Sequence, residues 1–468
     1  MKQYEVIIIG AGPAGMAAAY GARRGGASDI LLLERQKSVG GVLNQCIHDG
    51  FGTALYEKSY TGPEYGEIWK EKIAEFTEIR TDTAVIKVES RGFVYQITCI
   101  GGASGREVYI GKTVIFAMGC RERTVGQLRI PGSRPAGIYT AGCAQYMMNI
   151  QNMKPGKSAV IFGTGDIGLI MARRLILEGI QVKLIFGDRA AGLARNYVQC
   201  VRDFQIPLKL GYTLLRVHGY DRLKGVTIAP LGNDGKPLLE QKQYVPCDTL
   251  LTAVGLISET ELFREMMPEL EKNRGIPVDT YGQTQFPGIF ACGNVTQIYD
   301  LADYVTVSGI QTGMAASRFL GYNEKPIEEF SLSIKKERTF EGMEKHTNYE
   351  MVCVNCPKGC LLQANMSNGN CEVTGNECSR GYAYAIDELK RPKRILTTTA
   401  RIKNQANLLL PVRTDKPVDR EKMREIIILL NRKEISLPVK KGQRIVDNIP
   451  GIDANIIASK SMGIKYET

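Results

Sequence analysis

At 468 residues and 51.7 kDa, the chain has room for two to four domains of roughly 100–200 residues each. With 44% apolar and 23% charged residues, and no window of the ~18 uninterrupted apolar residues that cross a bilayer, it reads as neither disordered nor membrane-spanning. Sixty Lys and Arg against 49 Asp and Glu leave a net charge of +11; the excess fits an acidic partner surface or solubility, and no nucleic-acid motif accompanies it.

The chain opens on an apolar run, Val6 to Ile9, with no basic leader or cleavage site, so the expected location is cytoplasmic. EVIIIGAGPAGMAAAYGARRG then reads as strand, glycine turn and helix, continuing into the strand DILLLE. In GAGPAG, Gly10 permits a tight turn, Gly12 lets backbone approach a pyrophosphate, and Gly15 lets the helix pack close. Pro13 and Ala14 open the helix, whose free N–H groups favour a diphosphate. Glu34, 19 residues after Gly15 at the end of the next strand, is suited to ribose hydroxyls. Strand, glycines, helix, second strand and acid in register predict a dinucleotide site.

After GGVLNQCIHDGFG come a β-rich stretch, TAVIKVESRGFVYQITCIGG, and then YIGKTVIFAMG. KSAVIFGTGDIGLIMARRLILEG then repeats the first design 153 residues on. Gly163, Gly165 and Gly168 take the same three parts, with Asp166 and Ile167 between them. Asp188 lies just beyond the acid position and suits a ribose 2′-hydroxyl, as in NAD; its neighbour Arg189 would instead meet the 2′-phosphate of NADP. A second β-rich run, LLRVHGYDRLKGVTIAP, leads to AVG at Ala253–Gly255, then FPGIFACGN and a helix-like segment, SGIQTGMAASRFLG. The expected class is therefore α/β, with two Rossmann-like units. KKERTFEGMEK, Lys335 to Lys345, reads as a linker. His218 and His346 have no identifiable partners and are assigned structural or exposed positions.

The order of motifs from Met1 to about Gly321 resembles the two-dinucleotide-binding flavoproteins, the superfamily of thioredoxin reductase and the other pyridine nucleotide–disulfide oxidoreductases. AMG (Ala117–Gly119) and the end of FPGIFACGN (Gly293–Asn294) are similar to that family's returning FAD motifs. The resemblance implies FAD on the first glycine turn and a nicotinamide nucleotide on the second. Its FAD residues are Gly10, Gly12, Pro13, Ala14, Gly15, Glu34, Arg35, Gly41, Ala117, Gly119, Gly293 and Asn294. It also implies an FAD domain at 1–122 and 248–325, split by an NAD(P) domain at 123–247, with a linker at 326–350. Asn294 departs from the family, which has Asp there; an amide still reaches a ribitol hydroxyl but brings no charge.

Disulfide reductases of that family need a CxxC or CxxxxC pair beside the flavin, and the first three hundred residues contain none. Cys46 follows Gly40–Gly41 where NADH oxidases and peroxidases keep a single redox cysteine, and His48 is two residues on. A thiolate helped by an imidazole could attack peroxide; alternatively both side chains line the flavin pocket.

The region 351–468 holds five of the twelve cysteines. MVCVNCPKGCLL and ECSRGYAYA supply Cys353, Cys356, Cys360 and Cys378, and four thiolates suit Zn²⁺ or a [4Fe–4S] cluster equally. The framing resembles the small [4Fe–4S] domain of molybdopterin oxidoreductases, which implies the cluster, with zinc as the alternative and Cys371 a neighbour. From Gly381 onward, 18 Lys and Arg face 10 Asp and Glu, a candidate docking surface. RPKRILTTTARI and LPVRTDKPV resemble a domain that accompanies anaerobic glycerol-3-phosphate dehydrogenase-type flavoproteins. CIHDGFG and GTGDIGLIMARRL are similar to the NAD/FAD partner in such systems, and GCRERTVGQLRIPGSRPAGIYTAGCAQ to nucleotide-binding subunits of heteromeric amino-acid oxidases.

These resemblances imply an electron-relay subunit joining NAD(H), FAD and an iron–sulfur cluster, partnered by a small-substrate dehydrogenase. Peripheral membrane association is compatible with that role. Two alternatives are a stand-alone NADH oxidase or peroxidase using Cys46, with a structural zinc tail, and a redox-sensing module.

Overall fold

The computed structural model describes residues 2–102, 105–271, 274–322, 338–341, 343, 350–367 and 370–463. Most of the stretch read as a linker, and His346, lie outside them. The chain divides into two units: Met1–Cys46, Phe51–Arg121 and Leu256–Ser333 form the first, and Ile47–Gly50, Glu122–Gly255 and Ile334–Thr468 the second. No described helix is long and apolar enough to cross a membrane.

The first unit is built on a seven-stranded sheet. Its parallel part runs Thr77–Arg80, Ile30–Leu33, Gln3–Ile9 and Gly105–Phe116, and Ile289–Ala291 returns to pair with the last. Val94–Gly101 and Thr83–Arg91 continue it as antiparallel strands. Strands covered on both faces read as unbroken apolar runs, and Val6, Ile7, Ile8, Leu31 and Leu32 are fully buried. The register sets Ile9 beside Phe116, and Phe116 beside Ala291. Gly10, Ala117 and Cys292–Gly293 therefore leave the sheet together at its carboxyl edge, where open α/β sheets bind ligands.

Two helices of this unit, Pro13–Arg24 and Ala302–Phe319, meet almost backbone to backbone. A Cβ on Gly309 would come within 2.3 Å of the Ala14 carbonyl oxygen, and one on Gly313 within 2.0 Å of that of Ala18. Tyr65 and Trp69, on the helix Gly62–Ile73, are buried in the same core.

The second unit repeats the plan with a five-stranded parallel sheet: Ile138–Thr140, Thr249–Thr252, Ser158–Phe162, Gln181–Gly187 and Leu208–Leu210. An antiparallel sheet of Tyr212–Gly219, Leu223–Pro230 and Gln243–Pro246 follows. His218 sits there, its Nε2 2.7 Å from the Thr227 hydroxyl and its ring edge-on to Tyr244.

The C-terminal region has two parts. Glu350–Val352, Leu361–Ser367 and Asn370–Thr374 form a three-stranded antiparallel sheet, followed by the helix Ser379–Lys390. Met351, Val352, Cys353, Leu362 and Ala385 lie in one apolar cluster with Leu169, Val198, Cys200 and Val201 of the nucleotide fold. Phe340, inside the stretch read as a linker, is fully buried and stacks on Tyr197 at 4.9 Å, because the apolar face of the helix Ala194–Cys200 needs covering. Beyond it, Thr397–Ile402, Gln405–Thr414, Glu434–Ile435, Arg444–Val446 and Ile456–Ala458 make a five-stranded sheet covered by the helix Met423–Asn431, with its own core of Leu410, Ile426 and Ile456.

Candidate functional site

Both glycine turns are built to one geometry. In the first, Gly10 has φ +103° and a Cβ there would stand 2.5 Å from the Ala117 oxygen; a Cβ on Gly15 would stand 1.8 Å from the Gly10 oxygen. In the second, Gly163 has φ +119° and the corresponding approach, to the Ala253 oxygen, is 2.2 Å; that of Gly168 to the Gly163 oxygen is 2.6 Å. The middle glycines differ from these in the same way. Around a Cβ on Gly12 or on Gly165 nothing lies within 4 Å. The outer glycines are needed by the fold, whereas the middle ones face open space in which a diphosphate fits.

The helices behind these turns, Pro13–Arg24 and Asp166–Leu177, begin at Gly12 and Gly165 with no side chain capping them. The helices at Gly62 and Ala141 are capped by the Thr61 and Thr140 hydroxyls. Uncapped N–H groups plus the helix dipole favour phosphate.

Around the first turn, Gly41 (φ +53°) packs over Gly12, a Cβ on it reaching 3.1 Å from the Gly12 α-carbon, and the Gly40 N–H donates to the Ala11 oxygen at 2.8 Å. The Glu34 carboxylate, buried, accepts from Ala11 N–H and Gln36 N–H, each at 2.8 Å. It therefore ties the glycine loop to the end of its own strand, while Arg35 beside it is exposed. Gly119 has φ +73° with open space around it. Gly293 (φ +70°) abuts Ala14, and the Asn294 amide oxygen accepts from Tyr299 N–H at 3.1 Å while its nitrogen faces the Cys120 sulfur at 3.5 Å. The sequence-predicted FAD residues Gly10, Gly12, Ala14, Gly15, Gly41, Ala117 and Gly293 thus converge on one edge.

Asp303 was not anticipated from the sequence. Buried at the start of the last helix of this unit, its carboxylate accepts from Gly52 N–H at 3.1 Å and Leu55 N–H at 3.0 Å, and burial holds its pKa above the ordinary value. An acid in the first turn of a helix preceded by Tyr-Asp-Leu-Ala carries no motif signal; only the fold brings residues 52–55 to it.

At the second turn, Asp166 is committed to protein: it accepts from Leu193 N–H at 2.7 Å and the Asn196 amide at 2.8 Å, which fixes the loop flanking the turn. Ile167 packs partly into the core. Asp188 and Arg189 are both exposed at the end of the strand Gln181–Gly187, where either can meet a ribose.

Cys46 is buried at 8% exposure in the first unit, and its carbonyl accepts from Gly62 N–H. His48 belongs to the second unit, and burial pushes its imidazole down to about 4; Asp49 opposes the shift, while Arg195 and Arg173 add to it.

In the cysteine module, the Cys353 N–H donates to the Cys360 oxygen at 2.9 Å. Burial pushes the Cys353 thiol up to about 11, with Cys356, Cys360 and Cys378 as further electrostatic neighbours, and burial also raises Cys360. Cys378, exposed at the N-cap of the helix Ser379–Lys390, is held below the usual thiol range by the Gly381 N–H and by Arg380. Backbone N–H groups of Asn355 and Glu377 point at the Cys353 and Cys360 sulfurs. Among the described residues no three His, Cys, Asp or Glu side chains are drawn to metal-binding spacing. The soft donor set and the N–H groups aimed at its sulfurs nevertheless suit a thiolate-ligated centre. Cys371 stands on the neighbouring strand, opposite Met366.

Residues 4–316 match the pyridine nucleotide-disulphide oxidoreductase family. The chain belongs to that family. The doubled glycine geometry, one turn at the carboxyl end of each parallel sheet, agrees with that membership. Residues 379–460 match a second family, DUF1667, a protein of unknown function; Cys353, Cys356, Cys360 and Cys378 fall outside both matches. This oxidoreductase is 26% identical to hydrogen cyanide synthase subunit HcnB of Pseudomonas protegens over 283 residues, 56% of this chain and 58% of that one. It is 27% identical to an opine oxidase subunit of Rhizobium meliloti over 357 residues, 68% and 63% of the two chains. The chain therefore spans less than two thirds of the length of these curated relatives. In fold it is similar to T. acidophilum thioredoxin reductase, with TM-score 0.56 and 22% identity over 68% of this chain and 99% of that one.

Proposed function

We propose that this oxidoreductase is an electron-relay subunit carrying electrons between NAD(H), FAD and a [4Fe–4S] cluster on Cys353, Cys356, Cys360 and Cys378. The observation that carries the reading is the shared core: the cysteine module is built onto the nucleotide fold through Met351, Val352 and Cys353, as integral structure. When bound, flavin accepts two electrons as a hydride and releases them singly, which joins a nicotinamide to a one-electron centre. The chain's own contribution is positioning. The middle glycines admit the diphosphates, Glu34 holds the first loop, and Asp166 holds the second. Asp188 selects NAD over NADP by accepting from the 2′-hydroxyl. Asn355, Glu377 and Gly381 direct N–H groups at the cluster's sulfurs.

The partner in this reading is a small-substrate dehydrogenase of the glycerol-3-phosphate type, docked through the basic C-terminal region in a cytoplasmic hetero-oligomer. Two relatives whose names call them subunits, of hydrogen cyanide synthase and of opine oxidase, support a multi-subunit role. Burial of the Cys46 thiol favours a pocket-lining part for it over the oxidase or peroxidase alternative.

Anaerobic purification followed by absorbance and EPR with NADH tests the proposal. Flavin bleaching together with a reduced-cluster signal is expected. Bleaching with a colourless, zinc-containing C-terminal region would overturn the relay and leave the flavin reading standing.

A further inference from the structure

The helix Asp166–Leu177 carries two adjacent arginines, both withdrawn from solvent: Arg173 is 6% exposed and Arg174 5%. Arg174 is fully matched, with Glu178 at 2.8 Å, the Asn149 amide oxygen at 2.8 Å, and the Thr398 and Thr399 hydroxyls at 3.1 and 3.0 Å. Arg173 is not. One of its terminal nitrogens donates to the Ile395 carbonyl at 3.1 Å, while its Nε is buried without an acceptor. Of the nearby carboxylates, Asp49 lies on the same cavity as Arg173 and faces Arg195 at 3.8 Å, whereas Asp166 holds the Leu193–Asn196 loop and Asp203 pairs with Arg394 at 2.7 Å and Arg420 at 3.2 Å.

The Arg173 guanidinium borders a cavity of about 20 Å³ that His48, Asp49, Asn196, Gln199, Cys200 and Thr397 also line, so the carboxylate that faces Arg195 stands on the same wall. That space takes one or two water-sized occupants, which favours a small ion over phosphate. Burial keeps His48 neutral at physiological pH, so its ring adds no second cation, and the Asn196 and Gln199 amides supply further donors. Two guanidiniums, Arg173 and Arg195, stand against the single Asp49 carboxylate here, which leaves one positive charge in excess, and a buried cation in excess is strongly unfavourable.

We propose that the cavity binds one small monovalent anion, of chloride or formate size, as the counter-ion of Arg173. Because Thr397 and Ile395 belong to the C-terminal region, the bound anion fastens that region to the nucleotide fold.

Thermal unfolding of the holoprotein in chloride, formate, phosphate and gluconate at matched ionic strength reads this directly. Chloride and formate should raise Tm saturably by about 2–4 °C over gluconate, and Arg173→Met should lose that increment. Should the variant fail to fold, crystals of the natural protein grown in bromide should give an anomalous peak within hydrogen-bond distance of the Arg173 Nε. Equal Tm in all four salts, a shift with phosphate alone, or an ordered water in place of bromide would each overturn the proposal.

Discussion

The middle glycine of each dinucleotide turn is separable from its neighbours by a single methyl group. Gly12→Ala places a Cβ in open space, so the protein should fold with nearly unchanged Tm and be isolated with several-fold less flavin, read by absorbance per chain. Gly15→Ala forces a Cβ to 1.8 Å from the Gly10 oxygen; a destabilisation of about 2–4 kcal/mol in urea unfolding is expected, with or without flavin. The same contrast holds between Gly165→Ala, which should raise KM for NADH, and Gly168→Ala, which should lower stability. His48 gives a pH signature. Its folded value, about 4, lies below the ordinary 6.5, so the unfolded chain binds the extra proton first. Stability should be constant above pH 6.5 and fall as pH drops toward 4, and His48→Phe should flatten that limb in a Tm-against-pH series.

At the scale of elements, the glycines that do not bind anything decide the packing. The helices Pro13–Arg24 and Ala302–Phe319 lie in backbone contact because Gly309 and Gly313 have no side chains. The sequence shows these glycines only as part of a helix-like run, since nothing local reveals which helix they face. The C-terminal sheet is anchored by charge as well as apolar area. Arg394, 4% exposed, binds Asp203 at 2.7 and 3.1 Å and Glu388 at 2.7 and 2.9 Å. Arg394→Ala leaves Asp203 with Arg420 alone at 3.2 Å and Glu388 with Arg202 alone at 3.9 Å, and should cost about 3 kcal/mol in denaturant unfolding. Arg394→Ala with Asp203→Asn should recover part of that loss.

At the scale of the molecule, the cysteine module and the nucleotide fold share one core. Val352, Cys353 and Leu362 pack with Val198, Cys200 and Val201, so ending the chain after residue 343 would expose that cluster to water. Such a truncation should aggregate or lose more than about 10 °C of Tm, measured against the full chain. A truncated protein with unchanged Tm would show that the region is an appendage.

Local rules fixed a good deal of this protein in advance. Strand, glycine turn and helix recur in fixed spacing because that tight turn demands glycine, and so the two strand–turn–helix units, and the absence of a dithiol pair before residue 300, were legible in the chain itself. Folding alone decided the rest. Glu34 turned inward to hold its own loop, Asp166 gripped the Leu193–Asn196 segment, and Asp303 met residues 52–55 from some 250 positions away. Arg173 was left buried with the Ile395 carbonyl as its acceptor, and Phe340 and Met343 became core. Each of these depends on which distant surfaces exclude water from one another, a quantity no local window contains.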